Sequence, residues 1–347
     1  MNPPRLLVVS PNWIGDAVMA QPLLQLLRRQ MPQARIDVLA PPWVAPVWRA
    51  AEEVAEVVEA HLGHGRLQWR ERRALARRLR GRGYDAAYVL PNSLKSALVP
   101  FLAGIPRRIG YRGEWRYGLV NVVHHDDPKA PRPMAEFYTA LADAPVRRLP
   151  AQRLPEPRLK VDLAKLPALC AAHGIAVDRP WVAFAPGAEF GPAKRWPPEH
   201  FAALAQRAQR ERPGLQVLLL GSPKDRATAD EIVALAPQAL NLAGATTLDD
   251  ALLFIAGAQA VASNDSGLMH VAAALGRPLV AFYGPTDPRH TPPASPRAQV
   301  LWLHLPCAPC QQRVCPLGHH DCLRTLGVDM AWERFWPLLQ DPAARAA

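Results

Sequence analysis

The sequence contains no run approaching the roughly 20 uncharged apolar residues of a membrane-spanning helix. Its first residues lack a signal-peptide pattern and lead directly into an apolar segment at residues 5–10. Cysteine is scarce. Of five in total, four lie between Cys307 and Cys322, unlike the dispersed set of a secreted disulfide scaffold. We therefore expect a cytoplasmic protein.

Two nucleotide-binding fingerprints are also missing. No G-x-G-x-x-G follows a predicted strand, which argues against a dinucleotide-dependent dehydrogenase, and no glycine-rich loop ends in the G-K-[ST] of a P-loop. Nothing resembles a nucleic-acid-binding module with ordered aromatics or a recognition helix. We therefore predict no nucleic-acid partner.

Positive charge is abundant but uneven. Lys and Arg outnumber Asp and Glu by 25 to 14 in residues 1–160, and equal them at 16 each in residues 161–347. The densest run, residues 66–82, carries eight Arg, and Leu75 and Leu79, with Leu67, are spaced for an inward stripe. This run predicts an amphipathic helix with a basic outer face. Such a face either is simply solvated or attracts an anionic membrane surface or an acidic acceptor.

The length of 347 residues and the alternation of strand-like with helical patterns predict two doubly wound α/β domains. We assign residues 1–150 to the first domain, residues 151–175 to a linker and the first helix of the second, and residues 176–347 to the rest of the second, ending in a terminal helix. The linker itself is placed in the Pro-rich stretch at 144–159.

The individual elements are predicted from hydrophobic periodicity. Strands are expected at residues 5–10, 35–40, 55–58, 86–90, 108–111, 181–185, 216–220, 258–262 and 279–283. Helices are expected at residues 17–30, 44–51, 66–82, 96–102, 133–141, 163–173, 198–210, 224–235, 248–256, 267–275 and 329–339.

Open α/β sheets bind ligands outside the carboxyl ends of their strands, so the residues after each strand are the site candidates. Asp16 follows the first predicted strand at a helix start. It is either a helix N-cap or a carboxylate that accepts the proton of an attacking hydroxyl, as inverting sugar transfer requires. Gly284 and Thr286 follow another strand in the same way.

The loop PGAEFGPAKRWP at residues 186–197 follows a predicted strand. Gly187 and Gly191 permit unusual backbone angles and expose N–H groups, while Lys194 and Arg195 supply positive charge. This composition is typical of a diphosphate cradle, and an irregular loop with a solvated lysine is the alternative.

The segment SNDSGLMH at residues 263–270 forms a further strand-to-helix junction. Asp265 or Ser266 can cap the helix, and the exposed N–H groups from Ser266 and Gly267 onward predict an anion site. His270, one turn into the helix, either faces the same phosphate or is a packing residue.

Several segments together carry a family resemblance. They are PNWIGD (11–16), LGHG (62–65), YVLPNS (88–93), KSALVP (95–100), AGIP (103–106), GYRGEWRY (110–117), PGAEFGPAKRWP (186–197) and NDSGLMH (264–270). In these segments, which span about residues 5–325, the sequence resembles the ADP-heptose:lipopolysaccharide heptosyltransferases of glycosyltransferase family nine, specifically the heptosyltransferase II type.

The resemblance implies a GT-B architecture, in which two Rossmann-like domains face each other across a cleft. It also implies an inverting, metal-independent transferase without a cofactor. The donor would be ADP-heptose and the acceptor lipid A–Kdo–heptose, whose first inner-core heptose receives L-glycero-D-manno-heptose. The Gram-negative enzyme would be cytoplasmic and would contact the anionic inner face of the inner membrane peripherally.

The resemblance further implies residue roles. Asp16 would be the general base, and Lys194 would neutralise the leaving diphosphate. The donor-binding residues would be Gly187, Ala188, Glu189, Lys194, Asp265, Ser266, Gly267 and His270. The acceptor-binding candidates lie in the N-terminal domain, where GT-B enzymes bind acceptors, and are Asn12, Trp13, Asn92, Lys95, Arg112 and Arg116.

Soft metal ligands cluster near the C-terminus. They are Cys307, Cys310, Cys315, Cys322, His319 and His320. The set is rich enough for Zn²⁺, but its spacing is not that of a zinc ribbon, and reduced packing cysteines are the alternative. No metal is predicted to be essential for the reaction.

Two other functions stay open on the sequence alone. A heptosyltransferase of the same family that adds the first or third heptose would share the donor site and differ in the N-terminal half. A metal or redox module built on the cysteine cluster is the alternative from another class.

Overall fold

A computed structural model describes residues 3–63, 66–126, 133–145 and 154–341. The chain forms two compact units, Met1–Leu159 and Lys160–Ala347. Half of the predicted linker, residues 146–153, and the last two residues of the LGHG segment lie outside the described residues.

The first unit contains six strands and five α-helices among its described residues. The strands are β1 (Arg5–Val9), β2 (Arg35–Ala40), β3 (Val54–Glu59), β4 (Ala86–Val89), β5 (Arg107–Tyr111) and β6 (Val122–His124). The helices are α1 (Ile14–Gln30), α2 (Ala45–Arg49), α3 (Trp69–Arg80), α4 (Leu94–Leu102) and α5 (Met134–Thr139).

The second unit contains six strands and seven α-helices among its described residues. The strands are β7 (Trp181–Ala185), β8 (Gln216–Leu219), β9 (Ala239–Asn241), β10 (Val261–Asn264), β11 (Leu279–Tyr283) and β12 (Ala298–Trp302). The helices are α6 (Leu166–Ala172), α7 (Pro198–Glu211), α8 (Arg226–Leu235), α9 (Leu248–Gly257), α10 (Gly267–Ala274), α11 (Asp321–Arg324) and α12 (Val328–Gln340).

Each unit is built on one six-stranded sheet whose described pairings are all parallel. The strand orders are β3-β2-β1-β4-β5-β6 and β12-β11-β10-β7-β8-β9. In each sheet, successive strands are added outward on one side and then on the other side of the first strand. This change of side falls between β1 and β4 in the first sheet and between β7 and β10 in the second. It defines the doubly wound Rossmann topology, and we call it the reversal point. The predicted fold class is thus confirmed, and the two reversal points are where ligands of such sheets bind.

The central strands are apolar because crossover helices cover both faces of a parallel sheet. In the first unit Leu7 and Val38 are fully buried, and in the second Phe184 and Phe282 are. No helix in the described ranges is long and apolar enough to cross a membrane.

The structure corrects the expected bounds of some elements and adds others that were not predicted. Helix α1 begins at Ile14 rather than at residue 17, so Asp16 lies inside its first turn and is not its N-cap. Strand β10 begins at Val261 rather than at residue 258, because Ala258 only ends the preceding helix as its C-cap. Strands β6, β9 and β12 and helix α11 were not predicted from the sequence.

The basic helix is also corrected. Leu75 and Leu79 are buried as expected, but Leu67 precedes the helix and is 49% exposed. Arg72 is buried, where its guanidinium donates to the backbone oxygens of Leu67 and Lys95. Arg72 therefore does not contribute to the basic outer face of α3. It connects α3 to α4 instead.

Candidate active site

Asp16 lies beside the reversal point of the first sheet. Trp13 is the N-cap residue of α1, and its side chain makes no capping hydrogen bond. Asp16 is the acidic residue in the first turn of this helix. An anionic side chain is favoured there by the helix dipole. The hydroxyl of the buried Tyr138 donates to Asp16 Oδ1 over 3.0 Å and orients the carboxylate.

The two acceptor candidates next to Asp16 are open to solvent. Asn12 is exposed, and Trp13 is 47% exposed. Trp43, 49% exposed, donates from its indole Nε1 to the backbone oxygen of Asn12 over 2.9 Å. Two indole rings and an amide side chain thus lie at or against the loop that leads into α1, where they offer stacking and hydrogen-bonding groups to a sugar.

The other four acceptor candidates follow β4 and β5. The side chains of Asn92 and Arg112 are exposed, and Lys95 is half-buried. Arg116 differs from the expectation of an open cation, because it is only 2% exposed and donates to the backbone oxygens of Tyr111 and Pro91. It also donates to Asn92 Oδ1 over 3.0 Å, and burial lowers its pKa to about 10. In this structure Arg116 therefore holds Asn92 in place.

The second reversal point carries a buried ion pair. Lys194 Nζ donates to Asp265 Oδ2 over 2.6 Å, and the hydroxyl of Thr286 donates to the same oxygen over 2.5 Å. The side chains of Lys194 and Asp265 are 12% and 4% exposed. The three residues follow β7, β10 and β11, so three adjacent strands of one sheet supply a cation, a carboxylate and a hydroxyl.

The loop that carries Lys194 is fixed by its neighbours. Trp196 is fully buried and stacks on Phe282 with ring centroids 4.1 Å apart. Asn264, also fully buried, accepts from the Trp196 backbone N–H over 3.0 Å and donates to the Pro186 oxygen over 2.7 Å. Both ends of the loop are thus tied to the end of β10.

The N-terminus of α10 is open. Ser266 is the N-cap residue, but its side chain makes no capping hydrogen bond, and the carboxylate of Asp265 binds Lys194 and Thr286 instead. The alternative in which Asp265 caps this helix is therefore wrong. Ser266 and Gly267 are half-buried. The first amides of a helix have no intrahelical acceptor and attract anions, so this end suits a phosphate.

His270 is 4% exposed, and burial lowers its pKa to about 4. Asp265 raises that pKa and Lys194 lowers it, but desolvation is the larger effect. His270 is therefore neutral near pH 7. It is close enough to Asp265 and Lys194 to interact electrostatically with both.

The remaining donor candidates lie at the start of the same loop. Gly187 and Ala188 are buried, and the exposed Glu189 accepts from Lys224 Nζ. Glycine is required at Gly187, because a Cβ there would lie 2.3 Å from Cγ of Asp225. Asp225 in turn accepts from the Ser222 backbone N–H, so the turn after β8 packs directly on the loop.

Several positioning residues escaped the sequence analysis. Tyr138 lies 122 positions from its partner Asp16, and no local motif marks it. Asn264 and Trp196 were noted only as parts of motifs, although both are buried and hydrogen-bonded, which composition alone cannot show.

The chemistry of the two strand edges is now defined. One offers an oriented carboxylate among solvent-exposed aromatic and amide groups. The other offers a lysine, a hydroxyl and free helix amides, which together suit a diphosphate. A proton acceptor and a diphosphate site are the two parts that transfer from a nucleotide-activated donor requires.

Comparison with known sequences agrees with this chemistry. Residues 72–320 match glycosyltransferase family 9 (heptosyltransferase). The chain therefore belongs to this family, and the predicted enzyme class, a glycosyltransferase, is confirmed.

Individual relatives narrow the comparison. The chain is 50% identical to lipopolysaccharide heptosyltransferase 2 of Escherichia coli over 86% of its length and 88% of that protein. It is 44% identical to lipopolysaccharide heptosyltransferase 2 of Salmonella typhimurium over 97% of its length and 99% of that protein. Against lipopolysaccharide heptosyltransferase 1 of Pseudomonas aeruginosa the identity is 30%, over 90% of the chain and 87% of that protein.

The fold comparison is consistent with the sequence comparison. The solved structure of the Escherichia coli ADP-heptose lipopolysaccharide heptosyltransferase II superposes with a TM-score of 0.85 at 44% identity, covering 97% of this chain and 98% of that one. The expected GT-B class is confirmed, and a metal or redox module as the main function is not favoured.

Proposed function

We propose that this enzyme transfers L-glycero-D-manno-heptose from ADP-heptose to the first heptose of the lipopolysaccharide inner core. The observation that carries the proposal is the 44–50% identity to proteins named heptosyltransferase 2, against 30% for one named heptosyltransferase 1. The identity spans most of the chain, including both candidate edges.

Asp16 is the proposed general base. The acceptor hydroxyl loses its proton to the Asp16 carboxylate while its oxygen bonds to the anomeric carbon of the heptose. The bond from that carbon to the ADP oxygen breaks, and inversion follows because attack and departure occur on opposite faces. The Tyr138 hydroxyl donates to Asp16 Oδ1 and orients the carboxylate that accepts the proton.

Lys194 and the amides of α10 are the proposed diphosphate site. Lys194 is paired with Asp265 in this structure, so the proposal requires its ammonium to share or exchange that partner for a phosphate oxygen. Thr286 and Asp265 keep the lysine within reach, and Ser266 and Gly267 offer uncapped N–H groups. No metal is needed, because these groups supply the positive charge that the leaving ADP requires.

A membrane contact is also proposed, on the outer surface of the first unit. Helix α3 presents a row of exposed arginines, which are Arg70, Arg73, Arg77, Arg78 and Arg80. Exposed aromatic rings lie at Trp69 in α3, at Phe101 in α4, and at Trp115 and Tyr117 in the loop after β5, with exposed fractions from 44% to 88%. Basic and aromatic side chains together bind anionic bilayer surfaces, and lipid A as an acceptor would be found there.

The function is tested with acceptors of defined length. Purified enzyme and ADP-heptose are incubated with lipid A–Kdo acceptors carrying zero, one or two heptoses, and products are identified by mass spectrometry. We expect addition of one heptose to the one-heptose acceptor and little turnover of the other two. Preferred turnover of the zero- or two-heptose acceptor would instead assign the first or third transfer.

The membrane contact is tested by sedimentation with vesicles. We expect binding to phosphatidylglycerol–phosphatidylcholine vesicles, weaker binding at high salt, and at least a threefold loss in Arg77→Glu or Trp115→Ser. Arg210→Glu makes the same charge change on an exposed residue of α7 and is the control. Equal loss in Arg77→Glu and Arg210→Glu would contradict the assigned surface.

A further inference from the structure

The segment between β12 and α11 is weakly anchored, with the partly buried Leu303 at its start packed against the apolar core of the second unit. Residues 303–320 contain no helix or strand, and no residue from 302 to 322 is buried. Its large apolar side chains Val314 and Leu317 are 63% and 62% exposed. An ordered loop of this length is usually functional or cross-linked, because hydrophobic burial holds it only weakly.

Thiol and imidazole groups take the inward positions of this loop. One cavity is lined by Cys307, Cys310, Cys315, Cys322, His319 and His320. All four thiols are free. Cys322 lies close enough to Cys307, Cys310 and Cys315 to interact electrostatically with each of them.

Cys315 lies at the centre of a backbone turn. Its sulfur accepts hydrogen bonds from the backbone of residues 317–320. The turn depends on left-handed backbone at Gly318 and His320, whose φ angles are +74° and +56°. Convergent amides of this kind stabilise a thiolate, which is the form of cysteine that binds metals.

We propose that this cavity binds one thiophilic divalent cation of the Zn²⁺ class through the thiolates of Cys307, Cys310, Cys315 and Cys322. Binding releases the four thiol protons to solvent, and no electron transfer is involved. Among the described residues no three His, Cys, Asp or Glu side chains are yet arranged around a common point, so binding requires side-chain rotation.

The site would be structural, and it would brace the donor edge. The Arg313 oxygen accepts from the Ala193 N–H over 3.1 Å, and the Gln311 N–H donates to the Pro285 oxygen over 2.8 Å. Ala193 precedes Lys194, and Pro285 precedes Thr286 in the chain. Gly191 permits this contact, since a Cβ there would lie 2.4 Å from the Arg313 oxygen. A bound cation would therefore fix the loop on which both donor-site loops rest.

The test measures metal directly on the full chain. Reduced protein, freed of metal by a chelator, is titrated with Co²⁺ and then Zn²⁺. We expect a thiolate-to-Co²⁺ charge-transfer absorption that one equivalent of Zn²⁺ abolishes. Absence of this absorption in the wild-type protein would overturn the proposal without any variant.

Two substitutions locate the ligands. Cys310→Ser and Cys315→Ser should each bind Zn²⁺ at least tenfold more weakly in competition with a chromophoric chelator. Cys170→Ala changes a buried cysteine of α6 and should bind like the wild type. Full affinity in Cys310→Ser, or equal loss in Cys170→Ala, would overturn the assignment.

The bracing role is measured separately and rests on the proposed function. Removal of the metal should weaken ADP binding severalfold, and Zn²⁺ should restore it. Metal binding with unchanged ADP affinity would overturn the bracing role. The metal readouts do not depend on heptose transfer, so failure of the proposed function and failure of the metal site give different results.

Discussion

Lys194 and Asp265 form a pair that is more than four-fifths buried on both sides. Removing one partner of such a pair leaves an uncompensated charge, whereas an incoming diphosphate would supply a second anion for the lysine. The hydroxyl of Thr286 remains on Asp265 and can compensate part of that exchange. The pair therefore explains how Lys194 can lie at the proposed phosphate site although its side chain is largely buried.

Lys194→Ala should weaken ADP binding by about 10- to 100-fold, because a charge-assisted hydrogen bond is worth roughly 1.5–3 kcal/mol. Turnover should fall with it. Isothermal titration with ADP and initial rates with ADP-heptose measure the two effects, and Arg210→Ala, an exposed cation of α7, is the matched control. Unchanged ADP affinity in Lys194→Ala would remove this residue from the donor site.

His270 gives the folded protein a pH dependence. Its pKa is about 4 when folded and 6.5 in the reference state, so the unfolded chain binds the proton first and stability falls as pH drops below about 6.5. Between pH 7 and pH 5 the loss is on the order of 2 kcal/mol. Urea unfolding of wild type and His270→Gln at both pH values measures it, and the variant should lose correspondingly less. Equal losses would show that His270 is not buried and neutral.

Sequence reasoning reaches some residues and misses others for a physical reason. Asp16 and Lys194 were selected as site candidates because strand ends in doubly wound sheets are ligand sites, and their roles stay predictions. The pairing of Lys194 with Asp265 was not predicted, because it joins positions 71 apart in the chain. Arg116 was expected to be an open cation and is instead buried, since nothing local shows that backbone oxygens surround it.

At the scale of elements, the loop at residues 186–197, the proposed donor loop, is held in position by the end of β10 and the residues packed around it. Trp196 contributes stacking on Phe282 and an Nε1 hydrogen bond of 2.8 Å to the Leu326 oxygen. Asn264 adds hydrogen bonds to both ends of the loop. The position of Lys194 is therefore set by a buried indole two residues away, which is a rigid support for a flexible side chain.

Trp196→Ala should lower the free energy of unfolding by about 3–5 kcal/mol, the cost of a large cavity in a packed core. Trp196→Phe keeps part of the stacking and should cost clearly less. Urea denaturation gives both values. A loss below about 1 kcal/mol in Trp196→Ala would contradict the packing described here.

Element prediction succeeded where a pattern is long and failed where it is short. Strands β7 and β11 match their expected bounds because each is a compact apolar run, and β2 also matches although it contains Arg35 and Asp37. Strands β6 and β9 have three residues each, too few to show a period. Strand β12 has only one buried residue, so its pattern does not differ from that of a loop.

At the scale of the whole molecule, the two units share one strand order, and the charge excess belongs to one of them. Lys and Arg exceed Asp and Glu only in residues 1–160, which contain the exposed arginines of α3 and the carboxylate of Asp16. Two doubly wound domains were predictable because the alternation of strand and helix repeats along the chain. The alternation does not show which unit binds which substrate, since both sheets offer the same edge, and that assignment was made only through the family resemblance.

The central claim is that Asp16 acts on the acceptor while the second unit binds the nucleotide, and one measurement tests it most directly. Heptose transfer and ADP affinity are determined for the wild type and for Asp16→Ala, with folding checked by circular dichroism. We expect transfer to fall by at least about 100-fold, as loss of a general base does, while the dissociation constant for ADP stays within about twofold. Near-normal transfer, or loss of ADP binding in parallel, would contradict the account.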